Sequence, residues 1–365
     1  MSGRREVLGT LLAFLALFLI DAALFRTRFY TSLLEPETTT GQMETVCYLE
    51  THRRPERNKQ VLAFGDSRMG LQPYLTKEVC ASRNYEFANA AIPGTSPRCW
   101  YYQVRDVDPE AHRYEALLLP VDSYDDLDWE DDPADATVDL RYLIARLRLA
   151  DVLDFSVSFP TWPSRWLAFR GSLLKGTVYK DDFHAFLLDP EARRAKLRLF
   201  RRGAASWVRG FSGSQKGLNG LSVDWVARKI TFPADSSPEE CKVIESALLK
   251  PPAPQNGRQA AYRREWFGRI VDRYRGTGTR VLFFRLPRGP VLRPDASITR
   301  KTSSIREFAS SPGVLLLDEH IFDFLERPEF FQDLHHLNAK GIALFSRVLA
   351  ERVMERLSAP AAPGL

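Results

Sequence analysis

Cysteine is scarce in this chain: of 365 residues only Cys47, Cys80, Cys99 and Cys241 are cysteines, no two form a Cys-x-x-Cys pair, and the six histidines do not gather near them. That pattern argues against a structural zinc site. It leaves disulfides open, since Cys80 and Cys99 flank one short apolar run closely enough to pair. An excess of one charge sign is also missing. Lys plus Arg number 51 against 46 Asp plus Glu, and a net charge of +5 over this length is too dilute to argue for a nucleic-acid partner. Low complexity and wholesale disorder are excluded by 44% hydrophobic and 27% charged residues. Internal repeats are absent. The length exceeds one average domain, yet an α/β fold with insertions can use most of it as a single unit.

A long hydrophobic run is present at the start. Val7 to Phe25 reads VLGTLLAFLALFLIDAALF, which as a helix rising about 1.5 Å per residue spans roughly 28 Å, the thickness of a bilayer core. Asp21 is the one ionisable residue in it and sits near the C-terminal end, close to where an interface would lie. The run is long for the apolar region of a signal peptide and no A-x-A site follows, so an uncleaved single-pass anchor over 1–28 is expected. Arg4 and Arg5 on one side and Arg26 and Arg28 on the other leave orientation undecided by charge. Residues 29–58, with PETTTG and HRRPER, read as a polar, proline-punctuated linker.

Five apolar runs of strand length follow: Gln60 to Asp66, Tyr85 to Ile92, Glu115 to Asp122, Thr279 to Pro287 and Gly313 to Glu319. Their apolarity is continuous rather than alternating, as in strands buried on both faces. Helical patterns lie between and after them, notably Arg258 to Tyr274 and Lys340 to Leu357. Strands alternating with helices predict a three-layer, flavodoxin-like α/β core with a parallel sheet over 59–122 and 279–358. The intervening 123–278 is far too long for an ordinary crossover and is expected to be an inserted subdomain or lid ending in a core helix. It opens with an acidic stretch, Asp122 to Asp135, and continues through basic segments containing Trp162 and Trp166. Those helices either rest on anionic lipid or pack their tryptophans into a local core.

The first strand ends in Gly65-Asp66-Ser67, and a serine at the carboxyl end of a parallel strand stands where open α/β sheets place their sites. Near the C-terminus, Asp333-x-x-His336 puts a carboxylate and an imidazole on one loop after the fifth strand. A hydroxyl is a weak nucleophile until an adjacent base removes its proton, so this combination points to serine-based acyl chemistry. The simpler alternative is that Ser67 caps the next helix. Asn338 reads as the N-cap of the final helix.

On these motifs the chain resembles the SGNH/GDSL hydrolase-like superfamily, especially its membrane-anchored bacterial branch of cell-surface polysaccharide acetyltransferase-like and teichoic-acid alanylation proteins. The resemblance covers roughly residues 58–122 and 256–357. It implies Ser67 as nucleophile, His336 (not His335) as base, Asp333 as the residue orienting that base, and Gly94, in Asn89-Ala-Ala-Ile-Pro-Gly94-Thr95, as an oxyanion-hole N–H beside that of Ser67. Gly94 after Pro93 equally fits a type II turn. The family's third block supplies an asparagine after strand three; this chain has Leu119-Pro120-Val121-Asp122-Ser123 instead. An ionised Asp122 would repel an oxyanion, so either Ser123 donates in the asparagine's place, or the hole uses two backbone donors, or efficient hydrolysis is absent. Arg68 either binds an anionic group of a substrate or pairs with the acidic stretch.

The expected function is that of a serine esterase or O-acyltransferase acting on acyl esters of cell-envelope polysaccharide, held at the membrane with its domain outside the cytoplasm. Its partners would be lipid, a surface glycan and a membrane acyltransferase, and the chemistry calls for no metal or organic cofactor. The alternative is a non-catalytic, glycan-binding scaffold of an acylation complex.

Overall fold

The computed structural model describes residues 2–53, 58–80, 83–125, 127–128, 133–207, 218, 220–224, 226–249, 253–254, 257–290 and 303–359. The five apolar runs pair as one parallel sheet: β1 Lys59–Ala63, β2 Tyr85–Asn89, β3 Ala116–Val121, β4 Arg280–Arg285 and β5 Val314–Leu316, in the order β2-β1-β3-β4-β5. β1 is flanked by both of its sequence successors, with Val61 level with Phe87 on one side and with Ala116 on the other. The order therefore reverses between β1 and β3, which opens a crevice at the carboxyl ends of those strands.

Continuous apolarity follows from having helices on both faces. Val61, Ala63, Leu118, Leu282 and Phe284 form one cluster with Phe345, Leu349 and Val353 of the final helix, Ala339–Ser358. On the opposite face Phe283 meets Phe267 edge-on with ring centroids 5.2 Å apart, and Trp100 lies beyond Phe267. These two residues belong to the helices Gly257–Tyr274 and Pro97–Val107. All six residues of β3 are buried. Each fully buried Leu or Phe contributes on the order of 1.5–3 kcal/mol.

The chain forms two compact units. The sheet belongs to Arg53–Asp131 with Ser206–Leu365, and the second unit joins Met1–His52 to Asp132–Ala205. This corrects two expectations. The stretch 29–58 is not simply a linker, because it contains the helix Thr39–Thr51, capped by Thr38 and burying Met43, Val46, Cys47 and Glu50. Its polar residues read as linker but have partners a hundred residues away: Thr40 donates to the Arg141 carbonyl and Glu44 pairs with Arg146. Nor is 123–278 one subdomain. Its first part packs with the N-terminal segment, whereas Ile244 and Leu248 of the helix Pro238–Leu248 join the cluster of the sheet. Residues 126, 129–132, 208–217, 219, 225, 250–252 and 255–256 of that insertion lie outside the described residues.

In the second unit the helix Ser2–Phe25 includes Arg5–Phe25, the one stretch among the described residues long and apolar enough to cross a membrane, with mean hydropathy 2.4. Where it ends, Phe25, Tyr30, Tyr179 and Phe183 form an aromatic cluster. Among the described residues no disulfide joins the four cysteines, Cys80 and Cys99 included; burial pushes the Cys80 thiol up to about 11.

Candidate active site

β1 leads into Gly65, whose φ of +148° is one that L side chains rarely adopt. A Cβ there would lie 2.1 Å from Cγ of Met69, so the close turn that follows requires glycine. The Met69 amide donates to the Asp66 carbonyl (3.1 Å), and the Arg68 amide donates to the Asp66 carboxylate (2.8 Å). Ser67 thus sits at the tip of a tight turn on the carboxyl edge of the sheet. The next helix starts only at Pro73, so Ser67 caps no helix. Its Oγ instead lies 2.7 Å from Nε2 of His336.

His336 comes from a clamped loop. Phe331 and Leu337, both buried, form an isolated antiparallel bridge, and the Gln332 amide donates to the His336 carbonyl (2.9 Å). Inside this loop one Asp333 oxygen accepts the amides of His335 (2.8 Å) and His336 (2.7 Å), while His336 Nδ1 lies 2.8 Å from the other. Partial burial pushes the Asp333 carboxyl up, but the two amides and the imidazole outweigh it and hold it below its ordinary value. A carboxylate accepting at Nδ1 selects the tautomer whose Nε2 is free to accept the Ser67 proton. His335 contributes its amide to this arrangement.

The final helix carries the loop to β1. Asn338 caps it by accepting the Gly341 amide (3.0 Å), as its sequence position predicts. One turn further, Ile342 lies against Gly70, and Ser346 Oγ accepts the Gln72 amide at 2.9 Å. Residues 67 and 336 meet where the first two turns of this helix pack against the segment that follows β1.

The turn after β2 is docked on the same edge. The Ile92 amide and the Thr95 hydroxyl both donate to the Gly65 carbonyl, at 2.9 and 3.1 Å. Gly94, with φ +74° and the Thr95 amide donating back to the Ile92 carbonyl (3.2 Å), occupies the third position of a type II turn. Pro93 and Gly94 are exposed.

Arg68 pairs with a carboxylate at the end of β3. Its guanidinium is engaged by two carboxylates, Asp66 (Nη2 to Oδ2, 2.6 Å) and Asp122 (Nη1 to Oδ1, 2.6 Å). All three side chains are largely buried, with 15%, 15% and 22% exposure for Arg68, Asp66 and Asp122. Burial alone would push the Asp66 carboxyl up, and Arg68 overrides it and holds it below its usual value. Asp122 is thereby matched by a cation. Ser123 is buried; its Oγ accepts the Asp125 amide (3.1 Å) and its carbonyl accepts from Arg263 (3.0 Å). This three-residue clamp was not legible as a unit in the sequence; the only signal was an Asp-Ser-Arg run after one strand and an aspartate at the end of the next. Among the described residues no group of three or more His, Cys, Asp or Glu could hold a metal ion. No protein-family model matches the chain, and no curated protein matches it by sequence.

Proposed function

We propose that the chain is an SGNH-like serine esterase or O-acyltransferase, anchored by its N-terminal helix and acting on acyl esters of cell-envelope polysaccharide. The observation that carries this reading is the continuous relay from Ser67 Oγ through His336 to Asp333 at the strand-order reversal. In the proposed reaction the Ser67 proton moves to His336 Nε2 as Oγ bonds to the acyl carbon. The carbonyl oxygen becomes an oxyanion, met by the amides of Ser67 and Gly94. Collapse breaks the ester C–O bond, and His336 returns the proton to the departing alkoxide. Water or a sugar hydroxyl then attacks the acyl-serine, giving up its proton to His336, and Ser67 is restored. Asp333 keeps the imidazole oriented and stabilises its charged form.

The anchor and the surface-polymer branch favour a glycan acceptor, an extracytoplasmic domain and a membrane acyltransferase as acyl source, by analogy with the resembling family. A non-catalytic glycan-binding scaffold is the second reading, favoured by Asp122 at the position of the missing asparagine; its pairing with Arg68 removes much of the charge objection to catalysis.

A fluorophosphonate probe on the purified full-length protein tests the choice. Labelling of the wild type that is lost in Ser67→Ala supports the enzyme; a folded wild type that resists the probe supports the scaffold.

A further inference from the structure

The apolar helix ends in two charged residues, and both are committed to one reversal of the chain. Asp21 accepts the amides of Lys175 (3.0 Å) and Gly176 (2.6 Å), at the start of the helix Gly176–Leu188. Arg26 donates to the carbonyls of Ser172 (2.6 Å) and Leu173 (2.9 Å), at the end of the helix Trp162–Leu173. A carboxylate at a helix N-terminus and a guanidinium at a helix C-terminus both match the helix dipoles. The reversal at 172–176 is therefore fixed at the level where the apolar run stops.

The helix Trp162–Leu173 reaches that level, and the short helix Val152–Val157 packs against it. The inner sides of this pair are satisfied: Phe155, Phe159 and Ala168 are buried. The outer side is not. Leu149, Leu153 and Val157, spaced four apart, are 53%, 68% and 61% exposed, and Trp162 and Trp166, also four apart, are 75% and 52% exposed. The tryptophans therefore do not pack into a local core. Exposed Arg165 and Arg170 lie on the same helix as the tryptophans.

We propose that Leu149, Leu153, Val157, Trp162 and Trp166 form a bilayer-binding face, seated in the headgroup region of the leaflet from which the N-terminal helix emerges. The inference rests on that helix being a membrane anchor. Large aliphatic side chains beside tryptophan and arginine have the composition of an interfacial segment, with indoles at headgroup level and guanidinium groups toward lipid phosphates. The tie through Asp21 and Arg26 holds the C-terminal end of the tryptophan-bearing helix at the end of the anchor, which raises the effective concentration of the face at the lipid surface.

Site-directed spin labelling of the full-length chain in phosphatidylcholine–phosphatidylglycerol nanodiscs tests it. In a Cys241→Ser background, nitroxides at Leu153→Cys, Val157→Cys and Trp166→Cys are compared with Leu12→Cys in the apolar helix and Val226→Cys, an exposed site in the other unit. The expected result is an oxygen-to-nickel-chelate accessibility ratio at 153, 157 and 166 above that at 226 and below that at 12. A ratio equal to that at 226, with 12 in the hydrocarbon, overturns the interfacial face and leaves the anchor standing. An aqueous ratio at 12 overturns both.

Discussion

Replacing Arg68 by methionine removes the guanidinium that Asp66 and Asp122 share and leaves their carboxylates largely buried. Breaking a buried ion pair from one side costs about 3–5 kcal/mol. The residual exposure of these three side chains, 15–22%, places the expected loss near the lower end, about 3 kcal/mol at neutral pH. For a unit of this size that corresponds to a fall in Tm of about 6–12 °C. The pH dependence fixes the cause. Asp66 has a folded pKa depressed by Arg68, so its contribution in the wild type is fully present above the unfolded value of about 3.9 and is lost as pH falls through the lower folded value. In Arg68→Met, burial without a cation raises the carboxyl, and acid relieves the penalty by protonating it. The gap between the two proteins should be widest near neutrality, begin to shrink as pH falls through the raised carboxyl value of the variant, and go on shrinking below about pH 4 as the wild type loses its own contribution. Thermal unfolding of the full chain in detergent across this range measures it. A gap under about 1 kcal/mol, typical of an exposed pair, or one that does not change with pH, would refute the reasoning.

Ser67→Ala and His336→Ala should each remove nearly all turnover of a model ester, with the double variant scarcely worse, because residues sharing one proton relay are non-additive. Asp333→Asn should cost less, since nucleophile and base stay in place; additive losses in these assays would mean that the three do not act as a unit. Ser123→Ala should lower the rate by less than about tenfold, because its hydroxyl already serves the Asp125 amide; a loss of about 10²-fold would instead make it an oxyanion donor.

The sheet was legible in the sequence because helices cover both of its faces, so each strand had to be apolar throughout. Strand ends were less so: the first run continues to Asp66, yet pairing stops at Ala63 because the chain turns through Gly65. The candidate triad was legible because its parts follow the first and last strands, and a parallel sheet brings such ends to one edge. The helix Thr39–Thr51 was hidden, since it buries Thr40, Gly41 and Glu50 along with its apolar residues, and the partners of Thr40 and Glu44 lie a hundred residues along the chain. Arg68 was ambiguous for a related reason: an anion supplied by a substrate and one supplied by Asp122 satisfy a guanidinium equally, and only the fold decides which is near.

The interleaving of the two units bears on how the protein can be handled. The chain passes from one unit to the other three times, between residues 52 and 53, 131 and 132, and 205 and 206. Trimming the N-terminal 52 residues to obtain a soluble fragment would therefore remove more than an anchor. It would deprive Asp182 of Tyr30, Arg193 of Glu35 and Arg146 of Glu44, and strand a helical segment in the middle of the truncated chain. During synthesis the same threading means that the unit holding the apolar helix waits for residue 205, after residues 53–131 of the other have already emerged, and the sheet waits for β5.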